Sequence, residues 1–253
     1  MKFAVNIDCL FGKLTKVQAI GKVRELGLDG IEMWAWNDRD LKPIAAEARR
    51  LGVEIAALPT TFWILVDPSR REEYLAGLRE SLEAAKFCGT RVLMSQVGND
   101  NGRPREEQRA SIVAGLRACA PLCEAAGVTL AIEPLNLPYD HPGYYLSSSH
   151  EAFGIVREVA SPNIKVLYDI YHQQITEGDL ANTLSANVAE IAHVHVAGHP
   201  GRHEPDIGEI NAPFLYETLD RAGYKGRIGL EYMPVRDPVE YVQILAKLAG
   251  TGK

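Results

Sequence analysis

Short apolar runs and helix-like segments alternate eight times along the chain, and this alternation constrains the fold more than any other sequence feature. The runs are mostly apolar, as expected for parallel strands that are covered on both faces. The strand candidates are residues 2–6, 30–34, 53–58, 91–95, 128–133, 164–169, 191–196 and 227–232. The helix candidates are residues 15–27, 40–51, 69–88, 104–126, 148–160, 178–188, 211–222 and 236–249.

Eight β/α units in 253 residues predict an α/β fold, namely a (β/α)8 TIM barrel. A doubly wound open sheet is the alternative, but no GxGxxG motif follows the first strand. The chain has no linker rich in Pro, Gly or Ser, so we expect a single domain over residues 1–253. In such a barrel, functional groups lie at the C-terminal ends of the strands.

The charge balance disfavours a polyanionic partner. The chain carries 27 Lys and Arg residues against 33 Asp and Glu residues, which gives a formal charge of −6. Nucleic-acid binding draws on clustered Lys and Arg side chains, and the sequence shows no such cluster. We therefore expect a small-molecule substrate and neither a nucleic-acid nor a membrane partner. The sequence leaves self-association into a homo-oligomer open.

The sequence also bears on the cellular compartment. No run approaches the roughly 20 apolar residues of a membrane span, and residues 1–13 do not form a secretory signal. The four cysteines show no CxxC spacing. Cys119 and Cys123 lie one helical turn apart, where two buried thiols are favoured over a zinc pair. These features predict a reduced, cytoplasmic protein.

Four residues that can bind a metal end four successive strand candidates. They are Glu133, Asp169, His195 and Glu231. One carboxylate at a strand end is typical of a helix cap or a loop anchor. Four acidic or imidazole groups at matching positions on adjacent strands instead indicate a functional site.

A divalent cation would balance the charge of this group. Carboxylates a few ångströms apart raise one another's pKa, so three of them need compensation. Three oxygen donors and one nitrogen, with room for water or substrate, suit Mn²⁺, Mg²⁺ or Co²⁺, and Zn²⁺ is a further option. A carboxylate network without metal is the alternative.

Further polar residues lie close to these strand ends. His172 stands three residues after Asp169, and we expect it to reach the pocket and bind substrate, although a loop position is the alternative. Arg202 follows the seventh strand, where a guanidinium can hold a substrate carboxylate in bidentate fashion. We expect this arginine to lie over the pocket mouth. His193 shares a strand face with His195 and is predicted to pack one layer deeper.

Aromatic residues near other strand ends are candidates for the pocket wall or for core packing. These are Phe11, Trp34, Trp36, Phe62 and Trp63. Glu32 is predicted either to line the pocket or to belong to a buried network inside the barrel.

The C-terminal half of the chain carries a specific set of motifs. These are IEPLN, HPGYYLSSS, VLYDIYHQQITEGDL, HVHVAGHPGRHEPDIGEIN and IGLEYMP, which together span nearly half of the sequence. The segment resembles the hydroxypyruvate isomerase family, within the xylose isomerase-like TIM barrels. The resemblance implies an enzyme of carbohydrate metabolism whose divalent metal is held by residues matching Glu133, Asp169, His195 and Glu231.

The resemblance also implies a reaction. Glu133 and Glu231 would exchange protons with the substrate, converting hydroxypyruvate to 2-hydroxy-3-oxopropanoate through an enediolate. Asp169 and His195 would act mainly as metal ligands. Proton transfer is favoured over a hydride shift, which in larger sugar isomerases uses a second metal and more acidic residues.

Other activities of the same barrel are the alternatives. One is a ketose 3-epimerase, or an isomerase of a neutral or acidic short sugar. The 3-epimerases usually place a further Glu six residues after the first metal glutamate, where this chain has Tyr139. Metal-dependent DNA repair endonucleases would need more ligands and a basic groove. A sugar-binding barrel without activity would not need both glutamates.

Overall fold

Eight parallel strands close into a barrel in which each strand pairs with its sequence neighbours and the last pairs with the first. The computed structural model describes residues 1–250. The strands are β1 (Lys2–Asn6), β2 (Gly30–Glu32), β3 (Glu54–Pro59), β4 (Val92–Ser95), β5 (Thr129–Ile132), β6 (Ile164–Asp169), β7 (Ile191–Val196) and β8 (Arg227–Leu230). The predicted (β/α)8 TIM barrel is therefore confirmed. Residues 251–253 of the predicted domain lie outside the described residues.

Helices surround the barrel and connect successive strands. They are α1 (Lys16–Glu25), α2 (Leu41–Leu51), α3 (Arg71–Cys88), α4 (Arg105–Ala126), α5 (Ser149–Val159), α6 (Ile170–Thr176), α7 (Leu180–Asn187), α8 (Ala212–Arg221) and α9 (Pro238–Gly250). Short 3-10 helices span Pro68–Arg70 and Val188–Glu190. Between residues 1 and 250, no helix is both long and apolar enough to cross a bilayer.

The predicted helix over 178–188 is preceded by a helix that the sequence did not reveal. Helix α6 starts directly after β6, because Asp169 is both the last strand residue and the N-cap. Its carboxylate accepts the backbone N–H groups of Tyr171 and His172, at 2.8 and 3.3 Å. Because the strand passes into the helix without a loop, the sequence contains no turn residues that would predict the start of this helix.

Strand β5 ends one residue before the predicted end, and strand β8 ends two residues before it. Glu133 and Glu231 follow them directly, and both still bond to the neighbouring strand. The backbone N–H of Glu133 donates to the Ser95 carbonyl at 3.0 Å, and that of Glu231 to the Val196 carbonyl at 3.2 Å. These hydrogen bonds hold the backbone of the two glutamates in the same arrangement as the barrel strands.

The barrel interior has an apolar side and a polar side. Ala57, Met94, Ala131 and Leu167, on β3 to β6, form a small apolar cluster. Across the interior, β2 and β7 bury the ionisable side chains of Glu32, His193 and His195. Buried ionisable groups are costly unless they are paired, so the polar side requires an account of its own.

Candidate active site

The structure brings the four strand-end residues together at the C-terminal face of the barrel. Glu133, Asp169, His195 and Glu231 each offer a ligand atom, and all four atoms lie within 4.8 Å of one another. His195 Nδ1 lies 3.6 Å from Glu133 Oε1 and 3.3 Å from Glu231 Oε2. All four side chains are buried. The barrel thus brings residues at the ends of four different strands together at one point.

This donor set fits a divalent cation. Although His195 Nδ1 lies between two carboxylates, it has no hydrogen-bond partner of adequate geometry among the described residues. Burial raises the pKa of Asp169, Glu231 raises it further, and Arg202 and His195 oppose the rise. Three carboxylate donors and one imidazole nitrogen, buried and close together, match the ligand chemistry of a divalent metal site.

Glu231 is the most strongly paired member of the group. Burial opposes its ionisation, but the charges of His195 and Arg202 hold its pKa below the usual range. Arg202 and the indole N–H of Trp34 donate hydrogen bonds to opposite oxygens of its carboxylate. The structure therefore keeps Glu231 as a carboxylate inside the cavity.

A buried network lies on the other side of the His195 ring. Glu32 Oε1 is 3.3 Å from His195 Nε2, and Glu32 Oε2 forms a 2.8 Å hydrogen bond with His193 Nε2. The charges of His195 and His193 outweigh burial and lower the pKa of Glu32 to about 2. A carboxylate behind a metal-binding histidine commonly fixes its ring orientation. Glu32 thus belongs to the interior network and does not line the pocket.

Gly229 on β8 provides the space for this network. A Cβ atom at position 229 would lie 2.7 Å from His195 Cδ2 and would also collide with the Glu32 carboxylate. The His193 and His195 rings pack edge to face, with centroids 5.1 Å apart. His193 lies outside the group of four; it forms a second cluster of possible ligand atoms with Glu32 and His195, in which its Nε2 atom bonds to Glu32.

A cavity of about 340 Å³ opens above the group of four. Trp34 and Trp63 line it, whereas Phe11 is buried in the core and Trp36 and Phe62 pack partly buried against the core. The other lining residues outside the ligand group include Pro59, Thr60, Met94, Ser95, Gln96, Leu135 and His141. This volume is at the lower end of the ~300–1,000 Å³ typical of ligand pockets.

Arg202 lies deeper than its predicted place over the mouth. Its guanidinium bonds to Glu231, is 3.7 Å from Asp169 Oδ2, and stacks 5.3 Å from the centroid of the Tyr171 ring. Its backbone has a positive φ of 55°, an uncommon conformation for a residue with a side chain. Its carbonyl accepts the N–H of Met233 at 2.7 Å, which ties the loop to the segment after β8.

The loop that carries Arg202 is anchored by a buried carboxylate. Glu204 accepts the backbone N–H groups of Val235 and Arg236, the latter at 2.9 Å. His203 contacts the Met233 carbonyl through Nδ1 at 2.9 Å. Much of the polar character of residues 193–211 therefore serves to fix this loop above the site.

His172 lines the cavity, as its position after Asp169 suggested. Its Nε2 atom lies 3.6 Å from Asp169 Oδ2, and burial together with the charge of Arg202 lowers its pKa to about 4. The sequence did not reveal two residues that position the site: Trp34 as a donor to Glu231, and Asn136 beside His172. The IEPLN motif contained Asn136, but only the fold shows what it contacts.

The fold and the site together define a TIM-barrel enzyme with a carboxylate–imidazole centre. The family model for the xylose isomerase-like TIM barrel matches residues 20–248. The chain therefore belongs to the xylose isomerase-like TIM barrel family, and it is an isomerase of the hydroxypyruvate isomerase type.

Relatives of known name support this assignment. Hydroxypyruvate isomerase of Escherichia coli K12 is 30% identical over 243 residues, covering 92% of this chain and 94% of the relative. The 2-oxo-tetronate isomerase of Cupriavidus necator is 41% identical over 170 residues, covering 66% and 64%. A crystal structure from Brucella melitensis, described as AP endonuclease, family 2, is 28% identical with a TM-score of 0.92, covering 97% and 98%.

Proposed function

We propose that this protein isomerises short 2-oxo acids and converts hydroxypyruvate to 2-hydroxy-3-oxopropanoate by proton transfer. One observation carries the proposal: Glu133 and Glu231 both lie within 3.6 Å of His195 Nδ1 and line the same cavity. Two carboxylates that face the same small volume can serve two adjacent carbon atoms of one substrate.

The two glutamates act as a general base and a general acid. One carboxylate removes a proton from the hydroxymethyl carbon of hydroxypyruvate, which produces an enediolate. The other delivers a proton to the carbon that carried the ketone, while the proton of the hydroxymethyl oxygen passes to the former ketone oxygen, so that an aldehyde and a hydroxyl group result. Glu231 is present as a carboxylate, the form that can accept a proton, because His195 and Arg202 favour its ionised form. Each proton transfer requires a group within hydrogen-bond reach of the carbon, and both carboxylates line the cavity in which the substrate would bind.

Glu133, Asp169, His195 and Glu231 would hold the divalent cation, with Mn²⁺, Mg²⁺ or Co²⁺ the best matches and Zn²⁺ also compatible. When bound, such a cation polarises the substrate carbonyl and stabilises negative charge on the enediolate oxygens. Trp34 and Trp63 line the cavity and offer apolar surface to the substrate. Arg202 and His172 bind substrate oxygens beside the glutamates.

A second candidate substrate is 2-oxo-tetronate, the four-carbon 2-oxo acid. It is favoured by the 41% identity to the Cupriavidus necator isomerase named for that compound. It requires the same chemistry, because its ketone also stands between a carboxylate and a carbon bearing a hydroxyl group. The two substrates differ in length but react by the same mechanism, so a comparison of their turnover reports which of them fits the cavity.

A substrate panel with the full chain tests the proposal. Protein stripped with EDTA and reloaded with Mn²⁺ is incubated with hydroxypyruvate, 2-oxo-tetronate, a tetrulose, a pentulose and a hexulose, and products are identified by NMR. We expect turnover of at least one 2-oxo acid, lost on metal removal and restored by Mn²⁺, with much slower conversion of neutral ketoses. A clear preference for epimerising a neutral ketose would refute the proposal. Nicking of abasic DNA in a parallel assay would point to the endonuclease alternative.

A further inference from the structure

Asn136 has a fixed orientation beside the site. Its Oδ1 atom accepts the backbone N–H groups of Tyr139 and Asp140, each at 3.2 Å. Backbone N–H groups can only donate, so this end of the amide is the oxygen. The Nδ2 end then points the other way, 2.6 Å from Asp140 Oδ2 and 2.7 Å from His172 Nδ1.

His172 Nδ1 consequently faces two donors. One is the side-chain Nδ2 of Asn136, and the other is the backbone N–H of the same residue at 3.3 Å. An imidazole nitrogen that faces only N–H groups must accept. In a neutral imidazole the proton then resides on the other nitrogen, here Nε2.

His172 lines the cavity, and its Nε2 atom has no protein acceptor in the part of the chain that the structure describes. The side chain is buried, and Nε2 has no hydrogen-bond partner among the described residues. The nearest carboxylate oxygen, Asp169 Oδ2, is 3.6 Å away, beyond hydrogen-bond distance. A buried N–H group without an acceptor is unfavourable and is therefore expected to find one in a ligand.

We propose that Asn136 is a positioning residue that fixes His172 as the Nε2–H tautomer, so that His172 donates a hydrogen bond to a substrate oxygen. The identity of that oxygen, on a short 2-oxo acid, rests on the proposed function. The tautomer itself rests only on contacts within the protein. A proton on Nε2 also prevents this nitrogen from acting as a metal ligand or as a base, so His172 serves recognition.

The tautomer is measured directly in the resting protein. Two-bond ¹H–¹⁵N correlations of ¹⁵N-histidine-labelled protein, assigned with His172→Gln, distinguish a protonated Nε2 from a protonated Nδ1. We expect Nδ1 of His172 to be the unprotonated nitrogen, without substrate and with or without Mn²⁺. A proton on Nδ1, or on both nitrogens, in the wild-type protein overturns the proposal.

Two substitutions test whether Asn136 sets the tautomer. Asn136→Asp has nearly the same shape but replaces the Nδ2 donor with an acceptor, so we expect the proton to shift toward Nδ1. Tyr171→Phe is the matched control, since it removes the hydrogen bond from the Tyr171 hydroxyl to Asp140 (2.9 Å) and leaves the Nδ1 environment unchanged. An unchanged tautomer in Asn136→Asp would show that the amide is not the positioning group.

Substrate binding separates the donor role from a structural one. Glutamine at position 172 can accept from Asn136 and still donate into the cavity, whereas leucine can do neither. We expect His172→Leu to raise KM about tenfold, the value of one hydrogen bond, and His172→Gln to raise it less. Equal increases would overturn the substrate contact. Failure of all 2-oxo acids to react, with the Nε2–H tautomer present, would contradict the proposed substrate and not the role of Asn136.

Discussion

The two sides of the His195 imidazole ring differ in what surrounds them. On the Nδ1 side, Glu133 and Glu231 line a cavity of about 340 Å³. On the Nε2 side, Glu32 lies within 3.3 Å, bonds to His193, and has no exposed surface. Both sides pair the imidazole with carboxylates, but only the Nδ1 side is open to a small molecule.

This difference assigns different tasks to similar groups. Carboxylates on the cavity side can contact a molecule that enters the cavity, so they are the ones able to exchange protons with a substrate. The carboxylate on the interior side can reach only the histidines, so it can orient a ring but cannot touch substrate. Substitutions of the carboxylates on the cavity side should therefore lower activity more than substitutions on the interior side.

Removing a carboxylate on the cavity side should have the largest effect. Glu133→Gln and Glu231→Gln should each lower kcat by ~10²–10⁴-fold, the usual contribution of a general acid or base, and weaker metal binding adds to this loss. Steady-state kinetics with hydroxypyruvate and saturating Mn²⁺ measure the effect. Glu72→Gln on the exposed surface of α3 is the matched control and should be neutral. Near-normal turnover in either site variant would disprove the two-glutamate mechanism.

Substitution of Arg202, on the cavity side, should affect charged and neutral substrates differently. The guanidinium lies beside Glu231 and Asp169, where it could also pair with the carboxylate of a 2-oxo acid. Arg202→Ala should raise KM for hydroxypyruvate roughly 100-fold, because truncating one partner of a buried charge pair costs about 2–5 kcal/mol. A neutral ketose offers only hydroxyl groups, so any residual reaction with it should change less. Equal small changes for both substrates would favour a neutral-sugar isomerase or epimerase.

The interior side should be more tolerant. Glu32→Gln keeps the shape but loses the charge behind His195, and the loss of such a partner typically costs roughly 10–100-fold in metal affinity or activity. Calorimetry on stripped protein measures the Mn²⁺ affinity. A lower affinity with normal kcat at saturating Mn²⁺ would show that Glu32 orients the His195 ring and takes no part in proton transfer. If Glu32→Gln matched Glu231→Gln in its loss of kcat with the metal site saturated, the division between the two sides would be wrong.

A substitution at Gly229 tests how tightly the interior side is packed. Gly229→Ala places a methyl group against His195 and the Glu32 carboxylate, and overpacking of this kind typically costs about 1–3 kcal/mol of stability. Gly21→Ala in α1 is the matched control, because a Cβ there meets nothing within 4 Å. That substitution should raise stability by about 0.5–1 kcal/mol through helix propensity. Urea unfolding compares the two variants, and equal changes would contradict the packing account.

Regular features of the fold could be predicted from sequence, because each has a local signal. Eight β/α repeats predicted the barrel, and the matching strand ends of Glu133, Asp169, His195 and Glu231 predicted that these residues converge. Helix α6 was missed because Asp169 ends β6 and caps the helix with no residue between. Such a junction contains no glycine, proline or polar loop to mark it.

Contacts between distant residues could not be predicted. The Trp34 indole bonds to Glu231, 197 positions away, and Glu32 contacts His193, 161 positions away. Neither pair has a spacing that a sequence pattern could reveal. The position of Arg202 after the seventh strand predicts that it lies near the pocket, but not that Glu204 and Met233 hold its loop against the site.

The origin of the new hydrogen in the product tests the central claim most directly. Metal-loaded enzyme converts hydroxypyruvate in D₂O, and NMR measures deuterium at the carbon that carried the ketone, corrected for exchange without enzyme. Two glutamates that exchange protons with solvent should leave this carbon almost fully deuterated in the first turnovers. Intact transfer of the substrate's own hydrogen between the two carbons, seen with substrate deuterated at the hydroxymethyl carbon in H₂O, would contradict the account and indicate a hydride shift.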